Sequence, residues 1–559
     1  MQTIYFFLFF LCFNLATKAQ NITLVKDVNQ FANTFINGAS LVKDNVIYFL
    51  AKDPSSGADL WRSDGTPTGT YLLKDLAPGP MSVAEIHLAK LNDLIIVSCL
   101  NNVDGHLEIW KTDGTTTGTE LVKSFPEVLN VFSAWNDREL VQAGNWVYFV
   151  ADDGVHGPEL WRTDGTPFNT VMVADTGTDN LPQHAPQLLT AWNTGLLYIH
   201  YTPATGIEYW RSDGTASGTQ LLKDIHPGAA GSVPPETFNR PYDLIPTPLG
   251  VFFVANDGTH GPELWKTDGT ENGTVLLADL NADSTTLGAK FNPLSVNYAF
   301  LNGRFYFQGI TFNEGHELWS TNGTTAGTAI VADATPGYNI GLIRQMGIYG
   351  NKLIFNASSN QFYEKLWVSD GTATGTYSLQ GSNNFVSVLD QLIPYGGKMW
   401  FAGQDTQDVE LWQTDGTVDG TLQFADLFPG AESSFPQFLG VVNGHLLFFA
   451  KTEAANKYQL FRLDAPAVAT SAPTSPSLEA IRLWPNPARD FVQVELESLP
   501  AGSYEVRTFR TDGVLQRQQL ITLPGTLDVH GLVAGMYWIE IRGEASAVKC
   551  ITRLLVQPN

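Results

Sequence analysis

Short apolar runs alternate with Gly-, Asp- and Pro-containing turns along most of the chain, and their lengths suit strands rather than helices. One unit shows the pattern. Gln187-Leu188-Leu189-Thr190-Ala191-Trp192 reads as strand a, and Asn193-Thr194-Gly195 as a turn into strand b, Leu196-Leu197-Tyr198-Ile199-His200. Strand c is Glu208-Tyr209-Trp210-Arg211-Ser212; after the loop Asp213-Gly214-Thr215-Ala216-Ser217-Gly218-Thr219 comes strand d, Gln220-Leu221-Leu222-Lys223-Asp224, and a Pro227-Gly228 turn opens the next unit. Strand b is apolar on both faces, as in Val147-Tyr148-Phe149-Val150, which predicts a sheet covered on both sides. Adjacent Leu and Trp on strand c point to opposite faces, so each reaches a different neighbouring sheet and the Trp is a core residue.

The strand c–loop word recurs with a period of about 50 residues, within the range of propeller blades and solenoid units. It is centred on Trp61, Trp110, Trp161, Trp210, Trp265, Trp319, Trp367 and Trp412, each followed by a turn residue at Asp64, Asp113, Asp164, Asp213, Asp268, Asn322, Asp370 and Asp415. The array ends are complementary. Ile22-Thr23-Leu24-Val25-Lys26-Asp27 is a strand d with nothing before it, whereas the last unit, ending Tyr458-Gln459-Leu460-Phe461-Arg462, has a, b and c without d. Pairing the two closes a ring and removes both exposed edges. The expectation is an all-β chain: a closed β-propeller of nine four-stranded blades, with eight as the alternative count, forming a monomeric ring.

Composition narrows the partners. Asp plus Glu number 56 against 32 Lys plus Arg, a formal charge of −24 that repels nucleic acid and anionic lipid. Charged residues make up only 16% and aromatics 12%, which suits tight strands rather than solvated helices. Residues 1–19 read as a cleavable signal peptide built on the apolar run from Ile4 to Phe13, and no later stretch is long and apolar enough to span a bilayer as a helix. After removal of that signal Cys99 and Cys550 remain, in different expected domains, so no disulfide framework is implied.

The repeated Asp invites a metal reading, but in Asp-Gly-Thr-x-x-Gly-Thr it can cap backbone N–H groups, and Asn322 does the same without a charge. The b–c loops Asp152-Asp153-Gly154-Val155-His156-Gly157 and Asn256-Asp257-Gly258-Thr259-His260-Gly261 are richer. No cofactor is expected, with Ca²⁺ at Asp152, Asp153 or Asp257 as the one cation considered. His156, His260 and His316 lack the paired spacing of a transition-metal site and read as turn polarity. The expected function is a surface binding or adhesion scaffold that recognises glycan or protein through its loops, without catalytic residues. The alternatives are a polysaccharide hydrolase or lyase using acids such as Asp153, Glu236 and Asp405, and a purely structural surface component.

Through its recurring word the chain resembles the Glu-Leu-Trp-x-x-Asp-Gly-Thr (hyalin-like) repeat proteins of Bacteroidetes-type bacteria over residues 20–464, departing at Asn322, Lys365 and Phe461. That resemblance implies an extracellular location and supplies no chemistry. A Pro/Ser/Ala linker at 465–477 precedes a small β-sandwich at 478–559. The latter resembles the type A sorting domain of type IX (Por) secretion substrates through Trp484-Pro485-Asn486-Pro487, Gly513, Gly535, Tyr537 and Lys549. This second resemblance implies type IX secretion machinery and its sortase as partners, and a protein that is secreted or held at the outer surface of a Gram-negative bacterium.

Overall fold

The computed structural model describes residues 22–30, 40–53, 57–79, 83–126, 140–177, 184–233, 244–280, 298–311, 315–332, 343–360, 363–379, 387–388, 391–405, 408–430, 432–452 and 457–465, then 481–484, 488, 490–496, 502–510, 515–523, 525–533, 535–542 and 548–556. The signal-peptide and linker expectations lie outside these residues. Two compact units divide between Pro466 and Ala467.

The first unit is a β-propeller of nine blades, each a sheet in the order a-b-c-d with antiparallel neighbours, except that in blade 8 strand a is split into Ser387–Val388 and Ile393–Tyr395. Blade 4, for example, consists of Gln187–Trp192, Gly195–Thr202, Gly206–Ser212 and Gln220–Lys223. Strands a of successive blades touch one another and converge on the axis. The closure read from the chain ends is present: Ile22–Gln30 is the d strand of blade 9 and pairs with Tyr458–Asp464, in the register Ile22↔Leu463 and Thr23↔Arg462.

The strand c word explains the blade stacking. Leu60 is buried among Ile86, Ile95 and Val97 of blade 2, and Trp61 among Val442, Leu447 and Phe449 of blade 9. Leu160 and Trp161 divide themselves between blades 4 and 2 in the same way. In seven blades the c–d ladder shifts register between the position of that Leu and the Trp. The extra strand d residue of the bulge, such as Leu73, Val173, Leu222 or Leu277, is turned into the core.

Basic side chains then link several blades to the next. The residue after the Trp donates to the carbonyl of the turn glycine one blade on: Arg62 to Gly114 (2.8 Å), Arg211 to Gly269 (3.2 Å) and, across the seam, Arg462 to Gly65 (3.2 Å). Strand d lysines do likewise, Lys26 to the Thr70 carbonyl at 2.9 Å and Lys223 to that of Thr274 at 2.7 Å.

The second unit packs a three-stranded sheet (Ile481–Trp484, Phe491–Leu496, Gly525–Asp528) and a four-stranded sheet (Leu515–Leu523, Gly502–Arg510, Gly535–Arg542, Val548–Val556) around Val492, Val506, Leu527, Ile539 and Leu554. Tyr537 donates to the Val533 carbonyl at 2.7 Å, a corner that ties the strand to the preceding loop. In the last pair Ile541 faces Cys550 and Arg542 faces Val548, so Lys549 occupies a bulge. Gly535 opens the strand opposite Val556, and Trp484 ends the first strand opposite Gln493. Pro485, Asn486, Pro487 and Gly513 lie outside the described residues.

Candidate functional site

On the c–d face every turn is closed by its own side chains. Asp64 Oδ1 accepts from the Thr66 N–H (2.9 Å) and the Thr66 hydroxyl (2.7 Å), and that hydroxyl accepts from the Gly69 N–H (3.0 Å). Thr70 donates back to the Thr66 carbonyl at 2.7 Å. A Cβ on Gly69 would collide with the Asp64 carboxylate, which is why the second glycine of the word recurs. The same bonds form at Asp113, Asp164, Asp213, Asp268, Asp370 and Asp415. Asn322 reproduces them with its amide oxygen, at 3.1 and 2.7 Å. The threonine hydroxyl and N–H hold Asp113, Asp213, Asp268 and Asp370 below the usual carboxylate range, and Lys398 does so first for Asp415.

The acid that opens the word has a role the sequence reading missed. Asp59, Glu159, Glu208, Glu263 and Glu410 are buried and clamp the chain that leaves strand d. Asp59 accepts from the Leu76 N–H (3.0 Å), and Glu159 from the Thr176 and Gly177 N–H groups (3.1 and 2.6 Å). Glu208 accepts from the His226 N–H (3.0 Å) and the Ser232 hydroxyl (2.6 Å). Burial pushes Glu208 and Glu410 up to about 7, against the pull of their serine and N–H donors. The detectable signal was an acid in an otherwise apolar strand, recurring two residues before the Trp.

The opposite face carries the b–c loops. Asp153 Oδ1 accepts from the Val155 and His156 N–H groups, and Oδ2 pairs with His156 Nδ1 at 2.8 Å. Asp257 and His260 repeat this at 2.7 Å, while Asp152 accepts from Gly154. Both imidazoles are raised by their aspartate partners. Asp152 and Asp153 in blade 3 and Asp257 in blade 5 are not brought together, because blade 4 stands between them. His316 instead meets the Gln308 side chain at 2.7 Å. Asp405 is described, in blade 8; Glu236 lies outside the described residues.

Blade 8 departs from its neighbours on this face. Asp408, Glu410 and Asp426 each place an oxygen within 4.8 Å of the others, the one such group found among the described residues. Glu410 is fixed by the Leu427 N–H (2.8 Å), the Ser434 N–H (2.9 Å) and the Ser434 hydroxyl (2.6 Å). Asp408 is raised by burial and then by the charges of Asp405 and Asp426.

No curated protein matches the sequence. Among solved structures, a puromycin hydrolase is similar at 11% identity and TM-score 0.31, over 68% of this chain and 61% of its own. A study of two prolyl endopeptidases provides another, at 9% identity and TM-score 0.34 over 82% of this chain and 54% of that one. The β-propeller domain of the Trilobed protease from Pyrococcus furiosus, described as having an open velcro topology, gives 10% identity and TM-score 0.31 over 68% and 95%. The chain thus spans less than two thirds of the length of the hydrolase and of the endopeptidase. Residues 482–557 match the secretion system C-terminal sorting domain, which makes the C-terminal unit a sorting tail and the whole chain a secreted protein of the Gram-negative outer cell surface.

Proposed function

We propose that the ring is a surface-displayed binding scaffold that takes a glycan or protein on its b–c loop face, after delivery by the type IX machinery and its sortase. The carrying observation is where the chain enters and leaves the propeller. Ile22 begins strand d and Asp464 ends strand c of blade 9, and Ile22 pairs with Leu463, so both ends lie on the c–d face. The chain therefore leaves the propeller at the face opposite the b–c loops.

Chemistry supports the same choice of face. The repeated word is committed to turns, clamps and blade contacts, whereas the b–c loops differ from blade to blade and expose Val103 and Val155 beside charged neighbours. A binder also fits better than a two-carboxylate hydrolase. Asp153 and Asp405 belong to blades 3 and 8, far apart in the ring order, and Asp153 is engaged by its own loop. The test is a glycan array together with pull-down of surface proteins, using the exported protein and a variant carrying Val155→Asp with His156→Ala. Saturable binding that the variant loses is expected; silence in both assays would remove the binding reading and leave a spacer or coat role.

A further inference from the structure

We propose that Asp408, Glu410 and Asp426 hold a single calcium ion on the b–c face of blade 8. Their oxygens lie within 4.8 Å of one another, so one ion can reach all three at the roughly 2.3–2.6 Å of calcium–oxygen bonds. Acidic groups that merely gather at a surface point apart into water. Asp408 does not: the residue is 9% exposed, its carboxylate lies within 4.8 Å of those of Glu410 and Asp426, and among the described residues its side chain makes no hydrogen bond or ion pair. A covered carboxylate beside two others, with Asp405 adding a further negative charge, lacks the counter-charge that such burial requires.

The repeat supplies an internal control. The clamping acid and the acid after strand d recur together, as in Asp59 with Asp75, Glu159 with Asp175, Glu208 with Asp224 and Glu263 with Asp279. Where blade 8 has Asp408, those blades have Gly57, Gly157, Gly206 and Gly261. Blade 8 thus adds a third carboxylate to a pair that stands without one in those four blades, whose glycines have positive φ where Asp408 does not. The donor set is all oxygen, which selects a hard cation over zinc or copper. The ligands come from two chain segments, and Glu410 is already tethered by Leu427 and Ser434. That irregular arrangement suits calcium better than the strict octahedron of magnesium. The site is independent of which ligand the face binds.

The exported full-length protein, stripped with a chelator, is titrated with Ca²⁺ and with Mg²⁺ by calorimetry and by thermal unfolding. One saturable Ca²⁺ site per chain and a rise in Tm are expected, with affinity falling roughly tenfold or more in Asp408→Asn. Asp408→Gly, which restores the residue of the neighbouring blades, folds and shows the same loss. The proposal is overturned by the absence of a saturable Ca²⁺ response in the unaltered protein, or by binding that survives in both variants, which would mean diffuse attraction to an acidic surface. Failure of the glycan and protein screens would leave this titration unaffected.

Discussion

At the scale of single residues, the recurring Asp and Glu are both acidic and do different work. The turn Asp is a hydrogen-bond acceptor whose charge is dispensable, since Asn322 makes the same two bonds. Asp213→Asn should therefore stay within about 0.5 kcal/mol of the unaltered protein, whereas Asp213→Ala should lose about 1 kcal/mol by orphaning the Thr215 donors. Urea unfolding of the two variants separates the acceptor role from a charge role; equal losses would contradict it. The turn Asp was legible in sequence because Gly and Thr at fixed offsets announce the turn. The clamp was not, because its donors lie far along the chain: Leu76 for Asp59, Ser232 for Glu208. The Asp408 cluster escaped for the same reason, with attention drawn instead to the conspicuous Asp-His loops, whose bonds are local.

At the scale of strands, alternation and turn signals gave strand a of blade 4 as Gln187–Trp192, residue for residue, and placed the closing strand beside the last c strand. What they could not give was the bulge between Leu and Trp, because both registers bury an apolar residue of strand d and the choice depends on the neighbouring blade. The N-terminal strand carries a further consequence. Deleting Ile22–Gln30 uncovers the backbone edge of Tyr458–Asp464, and an uncovered edge recruits another strand. The truncated protein should form dimers or larger assemblies in size-exclusion chromatography with light scattering; a stable monomer would show that closure does not protect the edge.

At the scale of the molecule, buried acids make the whole ring sensitive to pH. Glu159 and Glu208 are raised by burial, Glu208 to about 7 from an ordinary value of 4.5. Between those values the folded chain binds more protons than the unfolded one, so stability is fully present below the lower value and is lost as pH rises through the upper. The turn aspartates act in the opposite sense and at lower pH: their carboxyls are depressed, so their contribution fades as pH falls toward and below the ordinary range. Tm should therefore peak near pH 5 and decline toward pH 8, and Glu208→Gln should flatten that decline. A Tm that climbs steadily from pH 5 to pH 8 would contradict the assignment. Charge adds to the same trend, since −24 per chain repels itself less as carboxylates take up protons.

The ring's seam also bears on how the protein is made and how it lasts. Lys457 and Asp27 pair across 430 residues of chain, so strand Ile22–Gln30 waits for the last blade to be synthesised. Contacts of such range are slow to form, and the intermediate before closure is an arc with one unfinished blade. Stacking of the earlier blades brings the two ends into proximity, which turns a very long loop closure into a short-range docking step. Once docked, the ring has no terminal blade from which to fray, in contrast to an open array that peels from its ends. For a protein of the outer cell surface, the slow step of assembly is thus also a barrier to being taken apart.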